Sequence, residues 1–148
     1  MATIAQTLSD DHKRCDALFA QCEAAVLEQR WVDAAVCHAQ FCRAVDAHLT
    51  AEESVLFPAF ESAVGEQAGP TQVMRQEHAQ MREILEQMTQ AAWQRQREAY
   101  AELGEMLLIL IQQHNLKEEN IVYPMCDRSL AQKVDEITAR LAKLLEPE

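Results

Sequence analysis

The sequence contains a motif that occurs twice and pairs a histidine with two glutamates. The first copy begins at His48 and reads His-Leu-Thr-Ala-Glu-Glu, followed by Ser-Val-Leu-Phe-Pro. The second copy begins sixty-six residues later at His114 and reads His-Asn-Leu-Lys-Glu-Glu, followed by Asn-Ile-Val-Tyr-Pro. Residues four apart in an α-helix share a face and lie about 6 Å from each other. His48 and Glu52, and equally His114 and Glu118, can therefore reach one metal site.

The composition predicts an almost entirely helical protein. The 148 residues include only three glycines and four prolines, and no segment shows the residue pattern of a strand. This length is enough for one hydrophobic core. We therefore expect a single domain over residues 1–148, with its core at about 6–128 and a short additional helix at about 129–146.

Apolar residues at helical spacing predict four long helices. The first spans about 6–29, and the second begins at 31–33. A linker at 65–70 precedes the third helix, which ends at about residue 92. A turn at 93–97 leads into the fourth. Two helical hairpins of this kind form an antiparallel, up-down-up-down four-helix bundle.

Several residues mark the expected helix ends. Pro58 and Pro124 each remove a backbone donor, so the second and fourth helices should kink or end there. Phe57 precedes a proline and should avoid helical dihedral angles. Thr71 is the expected N-cap of the third helix, and Ser129 that of the last helix. The charged outer face of the last helix predicts that it packs outside the four-helix core.

The sixty-six-residue offset relates the two hairpins along most of their length. It matches His12 with His78 and apolar positions with apolar positions. It also matches glutamate with glutamate and proline with proline. Each hairpin thus has one histidine on its first helix and a His-x-x-x-Glu motif on its second. Apolar residues three and seven positions before each motif histidine direct these side chains inward. The six candidate metal ligands are His12, His48, Glu52, His78, His114 and Glu118.

Six buried polar groups are costly unless they pair with one another or bind metal. Paired His and Glu side chains in a metal-free structural bundle are one interpretation, but the duplicated pattern favours metal. The set is too rich in nitrogen for calcium or magnesium and too large for one tetrahedral zinc. It suits two transition-metal ions about 3.5–4 Å apart with bridging carboxylates. Iron is the leading candidate, and manganese is the next.

These residues resemble the hemerythrin-like (HHE cation-binding) family over about residues 6–128. All six ligand positions and both aromatic-proline endings are present. The resemblance implies a four-helix bundle with a non-haem diiron centre. It also implies that the four histidines are terminal ligands, and that Glu52 and Glu118 bridge the two irons together with an oxo or hydroxo group.

The sequence departs from the oxygen-carrying hemerythrins at two positions. The carriers have a second histidine on the third helix where this chain has Arg82. Their fourth-helix histidine is followed five residues later by aspartate, whereas His114 is followed four residues later by Glu118. The even distribution of histidines would leave each iron five-coordinate with one open position. Paired open positions favour a centre that binds or reduces O2, peroxide or NO over stable oxygen carriage.

Two further functions remain open at this point. One open position on each iron is compatible with an enzyme that has peroxidase, catalase-like or NO-reducing activity. The sequence leaves open whether the protein is an enzyme. An iron- or redox-sensing module, or an iron donor for the repair of iron centres, is the alternative without turnover. Loss of metal would leave buried charges uncompensated and loosen such a protein.

Other residues near the motif are expected to have supporting roles. Glu53 and Glu119 lie about 100° around the helix from the proposed bridges, so we expect interhelical contacts rather than ligation. Tyr123 is near the site and could donate an electron or a proton, but a packing role is expected because its counterpart is Phe57. His38 is expected to be an ordinary, partly exposed histidine. Met81 and Met88 are expected core residues, and the acidic residues that could orient an imidazole N–H are Asp11, Asp16 and Glu77.

Charge and cysteine content restrict the partners and the compartment. Lys and Arg total 13 against 24 Asp and Glu, and the formal charge of −11 argues against nucleic acid or an anionic membrane as partner. No apolar run approaches transmembrane length. The five cysteines form no CxxC pair, and the N-terminus has no signal-peptide pattern. We therefore expect a cytoplasmic protein with free thiols. From the predicted metal site we expect a small diatomic or peroxide ligand, an electron-donor protein as partner and a role in stress response.

Overall fold

The computed structural model describes residues 2–65 and 68–146, which form helices and no strands. No helix among these residues is both long and apolar enough to cross a membrane. The α-helices are α1 (Ile4–Leu27), α2 (Trp31–Ala51), α3 (Phe57–Val64), α4 (Gly69–Trp93), α5 (Arg97–Lys117), α6 (Tyr123–Ser129) and α7 (Val134–Leu145). Two π-helical turns, Glu52–Leu56 and Glu118–Val122, join α2 to α3 and α5 to α6, and a 3₁₀ turn, Ala131–Lys133, precedes α7.

The four long helices form the expected antiparallel bundle. Helix α1 packs against α2 and α5, and α4 packs against the same two helices, so the four form a closed ring. Short connections within each hairpin make sequential neighbours antiparallel. The predicted all-α, up-down-up-down bundle is confirmed, and the observed end of α1 lies two residues before the predicted one.

The two hairpin turns have the same backbone conformation at positions sixty-six residues apart. Gln29 has φ of 57° and Arg95 has φ of 54°, both in the left-handed region. The residue after each donates its N–H to the carbonyl five positions earlier, at 2.9 Å in both turns. This pattern closes a helix C-terminus and satisfies one of its free carbonyls. The internal repeat therefore extends to the turns.

The helical path continues through both prolines of the repeated motif, although α2 and α5 themselves end one π-helical turn before them. A π-helical turn precedes Pro58 and Pro124, and each proline lies in the first turn of a new helix, where no N–H donor is required. Phe57 has φ of −62° and ψ of −45°, so the prediction that it avoids helical dihedral angles was wrong. Its N–H bonds to the carbonyl of Glu52, five residues earlier, as in a π-helix.

The predictions of two N-caps and of part of a linker were also wrong. Helix α4 begins at Gly69, so Thr71 lies buried in its first turn, with its hydroxyl 2.7 Å from Glu61 Oε2. Ser129 is the last residue of α6 rather than the N-cap of the final helix, because the chain after Pro124 stays helical. Within the linker predicted at 65–70, residues 66–67 lie outside the described residues, and 69–70 are helical.

The core consists of two apolar clusters with the candidate ligands between them. One cluster includes Met81 and Met88, as expected. The other joins α3, α6 and α7, and α7 buries Ile137 and Leu141 in it. The last helix lies outside the four long helices, as expected, and its apolar stripe completes the cluster that covers one end of the bundle. The candidate ligands are screened from water on both sides.

Candidate metal centre

Each of the four long helices places one histidine at the same level of the bundle. The rings pair within hairpins, with centroids 4.6 Å apart for His12 and His48, and 5.0 Å apart for His78 and His114. Both motif glutamates extend to the same level from the π-helical turns. All six candidate ligands are buried, as the repeat predicts: His12, His48, Glu52, His78, His114 and Glu118.

Every one of these histidines directs Nδ1 at a carboxylate outside the cage. A neutral imidazole carries one N–H, so donation from Nδ1 leaves the Nε2 lone pair facing inward. Metal-binding histidines are oriented by carboxylates in this way. The pairs are His12 with Glu119 at 2.7 Å, and His48 with Asp11, His78 with Glu53 and His114 with Glu77, each at 2.8 Å.

The supporting acidic residues act across helices. Glu53 and Glu119 each bond the histidine on the first helix of the other hairpin, so the expectation of interhelical contacts is confirmed. Asp11 and Glu77 orient the motif histidine of their own hairpin rather than the histidine beside them in sequence. Asp16 is exposed and makes no such bond among the described contacts.

Basic side chains hold three of the four outer carboxylates. Arg82 binds Glu53 through two nitrogens, at 2.8 and 3.0 Å, Arg14 binds Asp11 at 2.7 Å, and Lys117 binds Glu77. Burial raises the pKa of Glu53, but the Arg82 and His78 hydrogen bonds lower it overall. Arg82, which replaces a carrier histidine, thus fixes the carboxylate that orients His78.

The inner face of the cage has buried polar atoms without hydrogen-bond partners. Nε2 of His78 lies 3.1 Å from Glu52 Oε1, and Nε2 of His114 lies 3.2 Å from Glu118 Oε2. None of these four atoms makes a hydrogen bond. An unsatisfied buried polar atom costs about 1–3 kcal/mol. A cation that accepts their lone pairs would remove this cost, so the residues fit a metal.

The ligand atoms fall into two overlapping groups. Atoms of Glu52, His78, His114 and Glu118 lie within 4.8 Å of one another, and so do atoms of His12, His48 and Glu118. Glu118 belongs to both groups, and Glu52 also reaches both histidine pairs, with Oε1 3.1 Å from Nε2 of His78 and Oε2 3.6 Å from Nε2 of His48. Carboxylates placed between two sets of imidazoles could hold two metal ions.

The electrostatics of the cage favour positive charge. Burial alone lowers the pKa of His48, but the charge of Glu52 and the Asp11 hydrogen bond raise it to about 10. Burial raises the pKa of Glu52, but the His48 charge and several hydrogen bonds lower it well below its ordinary value. Ionised carboxylates at this depth require a compensating cation.

Tyr123 packs in the apolar cluster, as expected, and its hydroxyl also contacts the cage directly. Its hydroxyl lies 2.6 Å from Glu52 Oε2 and 2.8 Å from Glu118 Oε1. Burial and the charges of the two glutamates raise its pKa well above the ordinary value, so the phenol keeps its proton. Its counterpart Phe57 stacks on His78 as Tyr123 stacks on His12. The Phe-to-Tyr difference between the motif copies was the sequence signal for this contact.

A largely apolar cavity of about 30 Å³ adjoins the histidines. Its walls combine cage histidines with side chains of the neighbouring core cluster. The cavity has room for one or two water-sized molecules. Its lining includes His12, His48, His114, Phe19, Phe41 and Val45.

His38 is buried, so the expectation of a partly exposed histidine was wrong. Its Nδ1 lies 2.9 Å from the hydroxyl of Tyr100. His38 lies three residues before Phe41 and ten before His48, and therefore on the inward stripe of α2. Its place on that stripe could have predicted its burial. The repeat gave no support for a polar site there, because the counterpart of His38 is Gly104.

Comparison with known families agrees with this geometry. The family model described as the hemerythrin HHE cation-binding domain matches residues 3–126. The chain belongs to the hemerythrin HHE cation-binding family. Comparisons with curated proteins and with solved structures gave no match. The matched range contains all six candidate ligands and both π-helical turns.

Proposed function

We propose that the cage binds two iron ions, with manganese as the less favoured metal. One ion would bind His78 and His114, the other would bind His12 and His48, and both Glu52 and Glu118 would be shared between them. The support is the overlap of the two ligand groups at Glu118 together with the unpartnered atoms on the inner face. The Nδ1 hydrogen bonds hold the Nε2 lone pairs of all four histidines ready for metal.

We further propose that this centre binds or reduces a small oxidant, namely O2, peroxide or NO. The observation that carries this proposal is the apolar cavity against His12, His48 and His114. An apolar cavity of this size favours a small uncharged molecule over a larger or charged substrate. Bound iron supplies electrons and a Lewis acid. Tyr123 offers a proton beside both carboxylates, and the surrounding core excludes water.

The proposed setting is the cytoplasm, in the handling of oxidative or nitrosative stress. Its support is the set of five cysteines, all of which are free thiols. An electron-donor protein would be the partner if the centre turns over. Turnover of several equivalents of oxidant per chain, with a chemical reductant present, would identify an enzyme. Consumption of one equivalent would identify a binding protein.

Stopped-flow mixing of the iron-loaded protein with O2, hydrogen peroxide and NO tests the proposal. We expect the near-ultraviolet absorption of the iron centre to change with at least one of them. Val45→Ile adds one methylene to the cavity wall and should slow the reaction several-fold without changing the iron content. Val26→Ile adds the same group to the same core cluster away from the cavity and is the matched control. Iron-loaded protein that is inert to all three would contradict the proposal.

A further inference from the structure

A second buried polar cluster lies on the hairpin-turn side of the cavity, away from the metal cage. It centres on His38 and Tyr100, which are 3% and 1% exposed. Nδ1 of His38 lies 2.9 Å from the Tyr100 hydroxyl, and Nε2 lies 2.9 Å from Thr89 Oγ1. His38 precedes His48 by ten residues, or roughly 15 Å along α2. The proposed oxidant chemistry does not use this cluster.

The hydrogen bonds of this cluster have a defined direction. The Thr89 hydroxyl donates to the carbonyl of Leu85 at 3.0 Å, so its oxygen accepts the N–H of His38 Nε2. Cys42 Sγ lies 3.2 Å from the same nitrogen. A neutral imidazole protonated at Nε2 has a free lone pair at Nδ1. In this tautomer Tyr100 donates its O–H to Nδ1 of His38. Burial lowers the pKa of His38, which keeps the ring neutral and able to accept a proton.

The pair crosses the bundle from one hairpin to the other, because His38 lies on α2 and Tyr100 on α5. Their repeat counterparts are Gly104 on α5 and Ala34 on α2, two small residues that are also buried. The equivalent crossing therefore has no polar side chain. Buried polar groups are costly unless fully paired. A phenol directed at a neutral base at one of two equivalent positions thus points to a chemical role.

We propose that Tyr100 is a redox-active tyrosine whose phenolic proton passes to His38 when one electron leaves the ring. Tyr100 gives one electron to the oxidised metal centre and one proton to Nδ1 of His38, leaving a neutral phenoxyl radical and an imidazolium. The centre is thereby reduced by one electron. A one-electron reductant such as ascorbate later returns the electron, and the imidazolium returns the proton. The identity of the oxidant rests on the proposed function, whereas the tyrosine–histidine pair does not.

Aromatic side chains connect the pair with the cavity beside the cage. The ring centroids of His38 and Phe41 are 6.5 Å apart, and those of Phe41 and Phe19 are 5.3 Å apart. Both phenylalanines line the cavity that His48 also lines. The pair is therefore separated from the cage by one apolar layer. The electron would cross this layer, while the proton stays within the hydrogen bond.

Photochemical oxidation of the full-length chain without metal tests the pair by itself. A flash-generated ruthenium(III) tris-bipyridyl complex serves as the one-electron oxidant, and electron paramagnetic resonance detects the tyrosyl radical. The chain contains only two tyrosines, so Tyr123→Phe leaves Tyr100 as the sole source. We expect the radical to persist in Tyr123→Phe and to vanish in Tyr100→Phe. A radical that vanishes in Tyr123→Phe and persists in Tyr100→Phe would overturn the proposal.

His38→Gln separates proton transfer from hydrogen bonding. An amide oxygen can accept the Tyr100 hydrogen bond but does not take up its proton. We expect the radical yield to fall by roughly fivefold or more, the equivalent of about 1 kcal/mol. An unchanged yield would contradict a role for His38 as proton acceptor. In the unaltered chain, nitrogen-15 NMR should find the His38 proton on Nε2, and a proton on Nδ1 would equally overturn the proposal.

Freeze-quench spectroscopy of iron-loaded protein after hydrogen peroxide addition tests the link to the metal centre. We expect a tyrosyl radical in the unaltered chain but none in Tyr100→Phe. A radical in the photochemical experiment without one here would overturn the metal centre as oxidant. Failure of the chain to bind iron would instead contradict the proposed function and leave the photochemical result standing.

Discussion

At the scale of single residues, the outer carboxylates determine what the histidines can do. His12 bonds Glu119 and His78 bonds Glu53, so two of the four contacts cross from one hairpin to the other. Each contact fixes a ring and directs its Nε2 into the cage. Loss of such a partner commonly lowers metal affinity by about 10–100-fold. The cage is therefore preorganised before metal arrives.

Each motif glutamate should be needed for full metal content. Glu52 contacts His78 and His48, and Glu118 contacts His12 and His114. We expect Glu52→Gln and Glu118→Gln each to lose most of the metal, because an amide oxygen is a poor bridging ligand. Elemental analysis of anaerobically loaded protein measures the loss. Full metal content in either variant would contradict bridging by that residue.

The hydroxyl of Tyr123 should affect reaction with peroxide rather than metal binding. We expect Tyr123→Phe to keep the iron content and to react with peroxide up to about 10²-fold more slowly, the contribution of a positioned proton donor. Phe57 already occupies the equivalent position in the other hairpin, so a phenyl ring should be tolerated. Phe57→Tyr is the matched control and should not slow the reaction. Equal rates in Tyr123→Phe and the unaltered chain would exclude this role.

At the scale of secondary structure elements, the π-helical turns give adjacent glutamates different tasks. Glu52 faces the cage, while Glu53 reaches His78 on the opposite hairpin. A π turn holds more residues than an α turn and often occurs at functional sites. The sequence could not predict this turn, because apolar periodicity assumes 3.6 residues per turn. Pro58 predicted only an interruption of the α-helix. The interruption is a π-helical turn, after which a new α-helix begins.

The hairpin turns offer a test of backbone strain. Gln29 and Arg95 are exposed and have left-handed dihedral angles, which cost an L-residue about 1–2 kcal/mol. Glycine would remove this strain, but it loses more conformational entropy on folding, which offsets part of the gain in stability. We therefore expect Gln29→Gly and Arg95→Gly each to raise the free energy of unfolding by about 0.5–1 kcal/mol.

Urea denaturation of the two variants measures this effect. Glu23→Gly, at an exposed position within α1, is the control and should lower the free energy of unfolding by about 1 kcal/mol. If all three variants were destabilised alike, the left-handed conformation of the turns would be contradicted. Similar gains at Gln29 and Arg95 would support the equivalence of the two hairpins.

At the scale of the whole molecule, the cage joins both hairpins between two apolar clusters. The sixty-six-residue repeat predicted the bundle and the convergence of six side chains, because equivalent positions in packed hairpins lie at one level. The repeat could not predict features present in one half only. Tyr123, His38 and Tyr100 are such features, and each breaks the symmetry on which the sequence argument relied. The contribution of α7 to the core was missed for the same reason.

Metal should stabilise the folded chain, because it binds the assembled cage and not the unfolded protein. A ligand at 100 times its Kd contributes about 2.7 kcal/mol. For a chain of this size that corresponds to a rise in Tm of roughly 5–10 °C. Calorimetry with and without Fe(II) under anaerobic conditions measures the shift. Glu118→Gln is the control and should show a much smaller rise. Equal Tm values for loaded and metal-free protein would contradict a cage that depends on metal.

The central claim is that two ions share Glu118 inside the cage. Anomalous X-ray diffraction at the iron edge, from crystals grown with Fe(II) under anaerobic conditions, tests it most directly. We expect two peaks per chain about 3.5–4 Å apart. One should lie beside Nε2 of His78 and His114, and the other beside Nε2 of His12 and His48. A single peak, or peaks away from Glu118, would contradict the claim.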